Sequence, residues 1–266
     1  MYDVVIVGAG MAGMTAGIYV ARAGKSVLVL ESGVVGGQIV SALRVDNWPG
    51  DYGVSGADLM EKIYHQVNKF GVEVKYEEVV SVEKTGAVGG EDGDNAEKER
   101  FLVKTDEGEY TCGAIIIAVG TSPRKLSEFQ TKSAGKRPVS YCATCDGALY
   151  KGRPVVVVGS GNTAKHEIKY LEEICSKVYH IHHDEPIPKE AEAVFVAIGR
   201  VPATGVFKDL VRVDGDGYVV ANESCATSCP GVFVAGDCRV KDVRQLVTAA
   251  GDGAVAASNV LGYLGK

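Results

Sequence analysis

The chain of 266 residues carries a formal net charge of −6, with 46% hydrophobic and 23% charged residues, the composition of a globular protein of one to two domains. The acidic balance, with a pI near 5.5, argues against general binding to nucleic acid or anionic membranes. No apolar run approaches the roughly 20 residues that span a bilayer, and the start, Met1-Tyr2-Asp3, lacks the basic segment of a signal peptide, so a cytoplasmic location is the default expectation.

Residues 3–7 form a short β-branched run, expected as a strand buried on both faces. Gly8-Ala9-Gly10-Met11-Ala12-Gly13 follows at once. An alanine-rich helix over 14–23 and a second strand from Ser26 to Glu31 complete a βαβ unit of about 30 residues. Residues 33–60 are loop-rich, and 56–70 carry an amphipathic helix pattern. Residues 72–110 read as a β-meander whose polar, glycine-rich tip, Lys84 to Arg100, is expected as a mobile excursion. Ala114 to Val119 is a further buried strand, closed by Gly120, and residues 121–153 read as irregular.

A second strand–turn–helix pattern begins at Val155 to Val158, continues through Gly159-Ser160-Gly161-Asn162-Thr163-Ala164 and runs as a helix to about Cys175. Strands follow at Val178 to His182 and, only about ten residues later, at Val194. Residues 232–237 are one more strand, ending in Gly236-Asp237, and a helix from about Gln245 closes the pattern. The predicted class is α/β, with two dinucleotide-binding domains (Rossmann-like, three-layer ββα), the second shortened and inserted into the first. The expected division is 1–118 with 200–266 for the first domain and 119–199 for the second, with glycine-bearing junctions at 119–121 and 199–201 as hinges.

Gly8-x-Gly10-x-x-Gly13 stands in its proper context for a dinucleotide. The first glycine makes the turn, the second lets backbone approach the pyrophosphate, and the third packs helix on strand. Glu31, about 20 residues on, is placed to accept hydrogen bonds from the adenosine ribose. Seven cysteines are too few and too uneven for a secreted disulfide framework. Cys142-Ala143-Thr144-Cys145 stands out. Two intervening residues let the sulfurs meet in a readily reduced ring, and a helix N-terminus lowers a thiol pKa. Two inert thiols, or half of a zinc site completed by Cys225 and Cys229, are the alternatives; no metal site is expected. Cys225, Cys229 and Cys238 read as buried thiols, with a second relay or metal site as the alternative, and Cys112 and Cys175 as core.

Gly36-Gly37-Gln38, Asn47-Trp48-Pro49-Gly50, Ala118-Val119-Gly120-Thr121, Cys142-Ala143-Thr144-Cys145-Asp146-Gly147, Ala235-Gly236-Asp237, Arg244-Gln245 and Ala249-Ala250-Gly251-Asp252-Gly253 resemble, in this order, the low-molecular-weight flavoprotein thioredoxin reductases. The resemblance spans nearly the whole chain. It implies FAD in the first domain, held at Gly8, Gly10, Gly13, Glu31, Gly37, Gln38 and Gly120. It also implies ribityl and pyrophosphate contacts at Gly236 and Asp237, Asn47 and Gln245 near the isoalloxazine, and Arg244 among the cofactor-binding residues. By the same likeness Cys145 lies nearest the flavin, Cys142 attacks the disulfide of thioredoxin, Asp146 serves as general acid or base, and the chain forms a homodimer.

The second domain departs from the family. Where the family has a basic His-Arg-Arg stretch for the 2′-phosphate of NADPH, this chain has Ile181-His182-His183-Asp184-Glu185, a poor host for a phosphate dianion. The helix and strands that complete the family's domain also lack sequence. The chain therefore resembles the ferredoxin-dependent flavin thioredoxin reductases of the family. The expected donor is ferredoxin or a similar acidic carrier, with NADPH, NADH or a second flavin as alternatives. Arg124, Lys125, Lys132, Lys136, Arg137, Lys151 and Arg153 form a candidate basic patch for it. A flavin dithiol oxidase of the same fold and a flavin-free redox sensor remain open as rival functions.

Overall fold

The computed structural model describes residues 1–88, 98–182 and 184–265. Most of the excursion expected at Lys84 to Arg100, as well as His183, lies outside the described residues. The chain divides into two compact units, residues 1–121 with 202–266, and residues 122–201.

The first unit opens with β1 (Tyr2–Val7), α1 (Met11–Arg22) and β2 (Val27–Leu30), and continues through α2 (Gly56–Lys69), β3 (Glu73–Lys75), β4 (Val79–Val88), β5 (Lys98–Thr105) and β6 (Glu109–Ile117). β1 lies between β2 and β6, parallel to both. Residues 73–75 do not start the meander as expected. They pair in parallel with β2 as the sheet's far edge. The meander is β4, β5 and the first half of β6, paired antiparallel. The strand expected at 114–119 is the second half of that same β6. β6 therefore serves two sheets' worth of partners. Cys112 faces both Tyr2 and Phe101 across the strand pairs, and Ile115 to Ile117 then run in the parallel layer.

The second unit is entered through β7 (Thr121–Pro123) and built from α3 (Glu128–Ala134), β8 (Val139–Ser140), α4 (Ala143–Asp146), β9 (Pro154–Val158), α5 (Asn162–Ile174), β10 (Lys177–Ile181) and β11 (Ala193–Val196). The expectation that 121–153 is irregular fails here. α3 is capped locally by Ser127, whose hydroxyl accepts from the Gln130 N–H, and is tied to distant chain where the Gln130 amide donates to the His182 carbonyl and the Ile187 N–H to the Ser133 hydroxyl; β8 pairs with β11. All four main strands are parallel, in the order β10-β9-β11-β8. β11 is buried throughout and β9 from Val155 onward. One face packs on Leu171, Ala164 and Ala143, the other on Ala134, Ile187 and Ala191.

The chain leaves this unit through β12 (Arg200–Pro202), which pairs with β7, and returns to the first unit for β13 (Val232–Val234) and α6 (Leu246–Leu264). β13 adds to β6 in parallel. Strand alternation then sorts the layers. Val4, Ile6, Val27, Val29, Ala114 and Ile116 face α1, α2 and α6. Val5, Val7, Leu28, Leu30, Ile115 and Ile117 face the meander and the segment from Phe207 to Cys238. Among the described residues no helix is long and apolar enough to cross a membrane.

α6 lies on α1 through small residues. A Cβ at Gly253 would stand 2.3 Å from the Ala12 carbonyl oxygen, whereas one at Gly262 would meet nothing within 4 Å. Gly253→Ala is expected to force the helices apart and destabilise by about 1–3 kcal/mol, the usual range for overpacking. Gly262→Ala, a gain in helix propensity alone, is expected to stabilise by about 0.5–1 kcal/mol. Urea denaturation of the two variants checks both signs.

Candidate functional site

Four parallel strands of the first unit end at one level. Val7 is opposite Leu30 and Ile117, and Ile117 is opposite Val234. Gly8, Glu31, Ala118 and Ala235 therefore follow at a common carboxyl edge, the place where open α/β sheets receive ligands. The glycines there differ in what they do. An added Cβ would lie 2.4 Å from the Ala118 carbonyl oxygen at Gly8, which also has φ +107°, and 1.9 Å from the Gly8 oxygen at Gly13. Both are glycine because backbone is packed against them. Gly10, the N-cap of α1, has nothing within 4 Å and no side-chain cap. It opens the first-turn N–H groups of α1 to an incoming anion.

The other predicted cofactor residues gather around this edge. Glu31 accepts from the N–H of Ala9 at 2.7 Å and of Gly33 at 2.8 Å. Gly36 bridges to Gly10, which brings Gly37 alongside; a Cβ at Gly37 would be 3.5 Å from the Gly10 Cα. Gln38 donates its side-chain amide to the Thr121 carbonyl, just past Gly120. Gly236 donates its N–H to Asp252 at 3.1 Å, and the Oδ1 of Asp237 is buried. Arg244 donates to the Asp237 carbonyl at 3.2 Å while its guanidinium lies 4.4 Å over the Tyr218 ring. Asn47 and Gln245, 198 residues apart, meet through a 3.1 Å hydrogen bond, and Gln245 is the N-cap of α6. The uncapped helix start, the open face at Gly10 and the buried Oδ1 of Asp237 fit a dinucleotide.

In the second unit Gly159 and Gly161 repeat this geometry. A Cβ at Gly159 would stand 2.3 Å from the Ala197 oxygen, and Gly161, N-cap of α5, faces nothing within 4 Å. The surroundings do not repeat. The sheet stops at β10, with no strand beyond it among the described residues. His180 Nε2 is bonded to the Gly159 carbonyl at 2.6 Å, so that imidazole is committed to the turn. The loop after β10 is closed by a carboxylate, Glu185 Oε2 accepting from the His182 N–H at 3.3 Å.

Cys142 and Cys145 form a disulfide with Cα atoms 5.3 Å apart. Cys142 is the extended N-cap of α4, and its carbonyl receives the N–H groups of Cys145 and Asp146 at 3.2 and 3.1 Å. Cys145 is exposed, and Cys142 and Asp146 are half-buried. Two neighbours escaped the sequence reading. The Ser140 hydroxyl is 2.6 Å from Asp146 Oδ2 and accepts the Cys142 N–H at 3.1 Å. From α5, Glu167 accepts the N–H of Ala143. Its signal in the sequence is a carboxylate on the stripe Ala164, Glu167, Leu171, the face that α5 buries. Burial pushes its carboxyl up to about 7, against the pull of the Ala143 N–H and of Arg200.

The remaining cysteines do not converge. Cys225 lies in the core on the helix side of the sheet, and Cys229 and Cys238 on the meander side. Burial pushes the thiols of Cys112 and Cys238 up to about 12 and that of Cys225 to about 11, the signature of inert core thiols. The expected basic patch is also smaller than its sequence. Arg137 spends its guanidinium on the carbonyls of Ser133, Ala134, Lys189 and Ala191. Lys132 pairs with Glu128 and Arg153 with Glu192. Arg124, Lys125, Lys136 and Lys151 stay exposed.

Two glycine-turn α/β units, one of them presenting a two-cysteine disulfide on a helical turn, define a disulfide oxidoreductase of the two-nucleotide-domain class. The profile of the pyridine nucleotide-disulphide oxidoreductase family matches residues 2–189 and 187–254, and the chain belongs to that family, in its thioredoxin reductase branch. It is 34% identical to a thioredoxin reductase of Bacillus subtilis over 312 aligned positions, covering 99% of this chain and 95% of that one. The crystal structure of thioredoxin reductase from Streptococcus pyogenes superposes with a TM-score of 0.87 at 32% identity, over 100% of this chain and 98% of that one. A ferredoxin-flavin thioredoxin reductase from Clostridium acetobutylicum superposes with a TM-score of 0.59 at 28% identity, over 99% and 97%. Members of this branch are FAD-binding flavoproteins.

The raised carboxyl of Glu167 makes stability depend on pH. Below its ordinary value of 4.5 the group is neutral in the folded and unfolded chain alike. As pH rises towards about 7 the unfolded chain releases the proton first, so the folded state loses stability across that window. Glu167→Gln is therefore expected to be more stable than the parent at pH 8, with the margin shrinking to nothing by pH 4.5, in denaturation curves taken across the range.

Proposed function

We propose that this chain is an FAD-dependent thiol–disulfide oxidoreductase that reduces thioredoxin through Cys142 and Cys145, with electrons from ferredoxin or a similar acidic carrier rather than from NADPH. In this reading residues 1–121 and 202–266 are the FAD-binding domain and 122–201 the shortened NAD(P)H-type domain. The observation that carries the donor assignment is the edge of the second sheet. β10 is its edge strand, with none beyond it among the described residues, and in the following loop the Glu185 carboxylate accepts from the His182 N–H. The two segments of the family match meet at residues 187–189, inside the connection from β10 to β11. The alignment to the Bacillus protein spans more positions than this chain has residues. Both support the reading that the second domain is shortened at that point. The likeness to the Clostridium ferredoxin-flavin enzyme supports the same donor.

Bound FAD supplies the exchange between single electrons from a carrier and the electron pair a disulfide requires. The protein's part is binding and proton handling. Gly8, Gly10 and Gly13, at the start of α1, would hold the pyrophosphate, Glu31 would accept from the ribose hydroxyls, and Gly37, Gln38, Gly120, Gly236 and Asp237 would hold the rest of the cofactor. Asn47 and Gln245, already joined, would lie near the isoalloxazine, and Arg244 fixes the backbone of 237–239. Cys145, which is exposed, would be the flavin-side sulfur. Cys142, once reduced, attacks the disulfide of thioredoxin; Cys145 then closes on the mixed disulfide and releases thioredoxin as a dithiol. Asp146, held by Ser140, moves the proton between the thiols and solvent. Glycines at 120 and 199 with φ of +63° and +98° serve as hinges for turning the pair outward, and exposed Arg124, Lys125, Lys136 and Lys151 steer an acidic carrier. The working unit is a homodimer.

Anaerobic titration tests the donor. Reduced ferredoxin is expected to bleach the flavin band and to support thioredoxin reduction, while stoichiometric NADPH leaves the band unchanged over minutes. Rapid bleaching by NADPH would contradict the assignment.

A further inference from the structure

We propose that Glu167 is a positioning residue for the Cys142–Cys145 switch: it holds the first N–H of the turn that carries both sulfurs and sets a carboxyl against the turn in which a thiolate forms on reduction. The proposal rests on the reading of that pair as the redox-active site.

α4 is a four-residue turn whose N-cap, Cys142, provides no side-chain cap. The N–H of Ala143, its first residue, is instead received by Glu167 from α5, another element of the same unit. The two are pressed together. Ala143 and Leu171 are fully buried, and a Cβ at Gly147, just past the turn, would stand 2.9 Å from Leu171 and 3.0 Å from Tyr170. The turn therefore sits on the α5 face from which Glu167 projects.

Only part of this carboxyl is satisfied. Its Oε2 is buried and has no hydrogen-bond partner among the described residues. A charged carboxylate so placed is costly, whereas a neutral one retains its acceptor for Ala143. Arg200 lowers its pKa only in part against burial, and the one other carboxyl on the turn, Asp146, is engaged by Ser140. Opening the disulfide with two electrons and one proton yields a thiol and a thiolate, the electrons coming in the enzyme from the reduced flavin of the reading above. That thiolate arises on the turn Glu167 caps. A neutral Glu167 leaves the turn's N–H dipoles to stabilise the thiolate; a charged one opposes it through like-charge repulsion. Glu167 and the switch thereby compete for negative charge across neutral pH.

The test is the alkylation of the reduced pair. Holoenzyme, reduced with excess dithiothreitol and freed of it anaerobically, is treated with iodoacetamide from pH 5 to 9, and carboxamidomethylation of Cys142 is followed by mass spectrometry. The parent is expected to show two inflections, one near pH 7. Glu167→Gln keeps an acceptor for Ala143 but never ionises. It should lose the inflection near pH 7, and its rate at pH 8 should rise about three- to tenfold, the effect of removing one nearby like charge. A purely structural glutamate would leave the Gln profile superimposed on the parent's, and that result overturns the proposal. Glu167→Ala, which also loses the acceptor, should show a single inflection as well; a parent-like double inflection there would equally refute it. Should the Ala variant not fold, the Gln variant decides alone. Alkylation of the dithiothreitol-reduced pair requires neither thioredoxin nor a protein or nucleotide electron donor. A parent that fails to reduce thioredoxin therefore refutes the functional reading, while an unchanged Gln profile refutes only the role of Glu167.

Discussion

The architecture depends on main chain meeting main chain at the start of α1. At Gly13 and Gly8 the helix and the preceding turn approach more closely than any Cβ permits. That contact aims the uncapped N-terminus of α1 over the common edge where β1, β2, β6 and β13 end. The residues that surround the edge come from five stretches of chain spread over more than two hundred positions, and the Asn47–Gln245 bond joins two of the most distant. Side-chain chemistry at the site is thus secondary to a backbone constraint: shift α1 and the open face at Gly10 no longer lies beside Gly37 and Glu31.

The second unit uses the same constraint for a different end. Gly159 and Gly161 reproduce the turn, yet what the turn serves best here is the seating of α5 over β9 and β11. α5 in turn supports α4, so a motif shaped for phosphate also works as a platform for the disulfide. The shortening of the unit has its own compensation. The connection from β10 to β11 shows no helix among its described residues, although parallel crossovers ordinarily need a dozen or more residues and a helix. Arg137 secures it by donating to the carbonyls of Lys189 and Ala191. A cation that reads on sequence as part of a docking patch is, in the fold, a fastening for a short crossover.

What could be read from sequence were features whose physics is local. Gly8, Gly10, Gly13 and Glu31 form a pattern of fixed spacing, and the buried strands at 4–7, 114–117 and 155–158 are runs of β-branched residues with nothing polar to interrupt them. The residues between 121 and 153 could not be read. β8 has two residues and exists because Val194 and Phe195 pair with it, and α4 has four, so neither has a periodicity to detect. β3, three residues long, was legible as a strand but not as a partner of β2, because nothing local distinguishes a meander from a parallel edge. Glu167 marks the limit from the other side. Its place on the apolar stripe of α5 is visible, but that the facing element is the CxxC turn is a tertiary fact.

The central claim is that reducing equivalents pass through the Cys142–Cys145 pair in a flavin-bearing protein. The most direct measurement is thioredoxin reduction by Cys142→Ser and Cys145→Ser proteins purified alongside the parent, with the flavin spectrum recorded for each. Both variants should remain yellow, since neither sulfur belongs to the cofactor edge, and both should fall to background in transfer to thioredoxin. Turnover at the parental rate by either one would contradict the account.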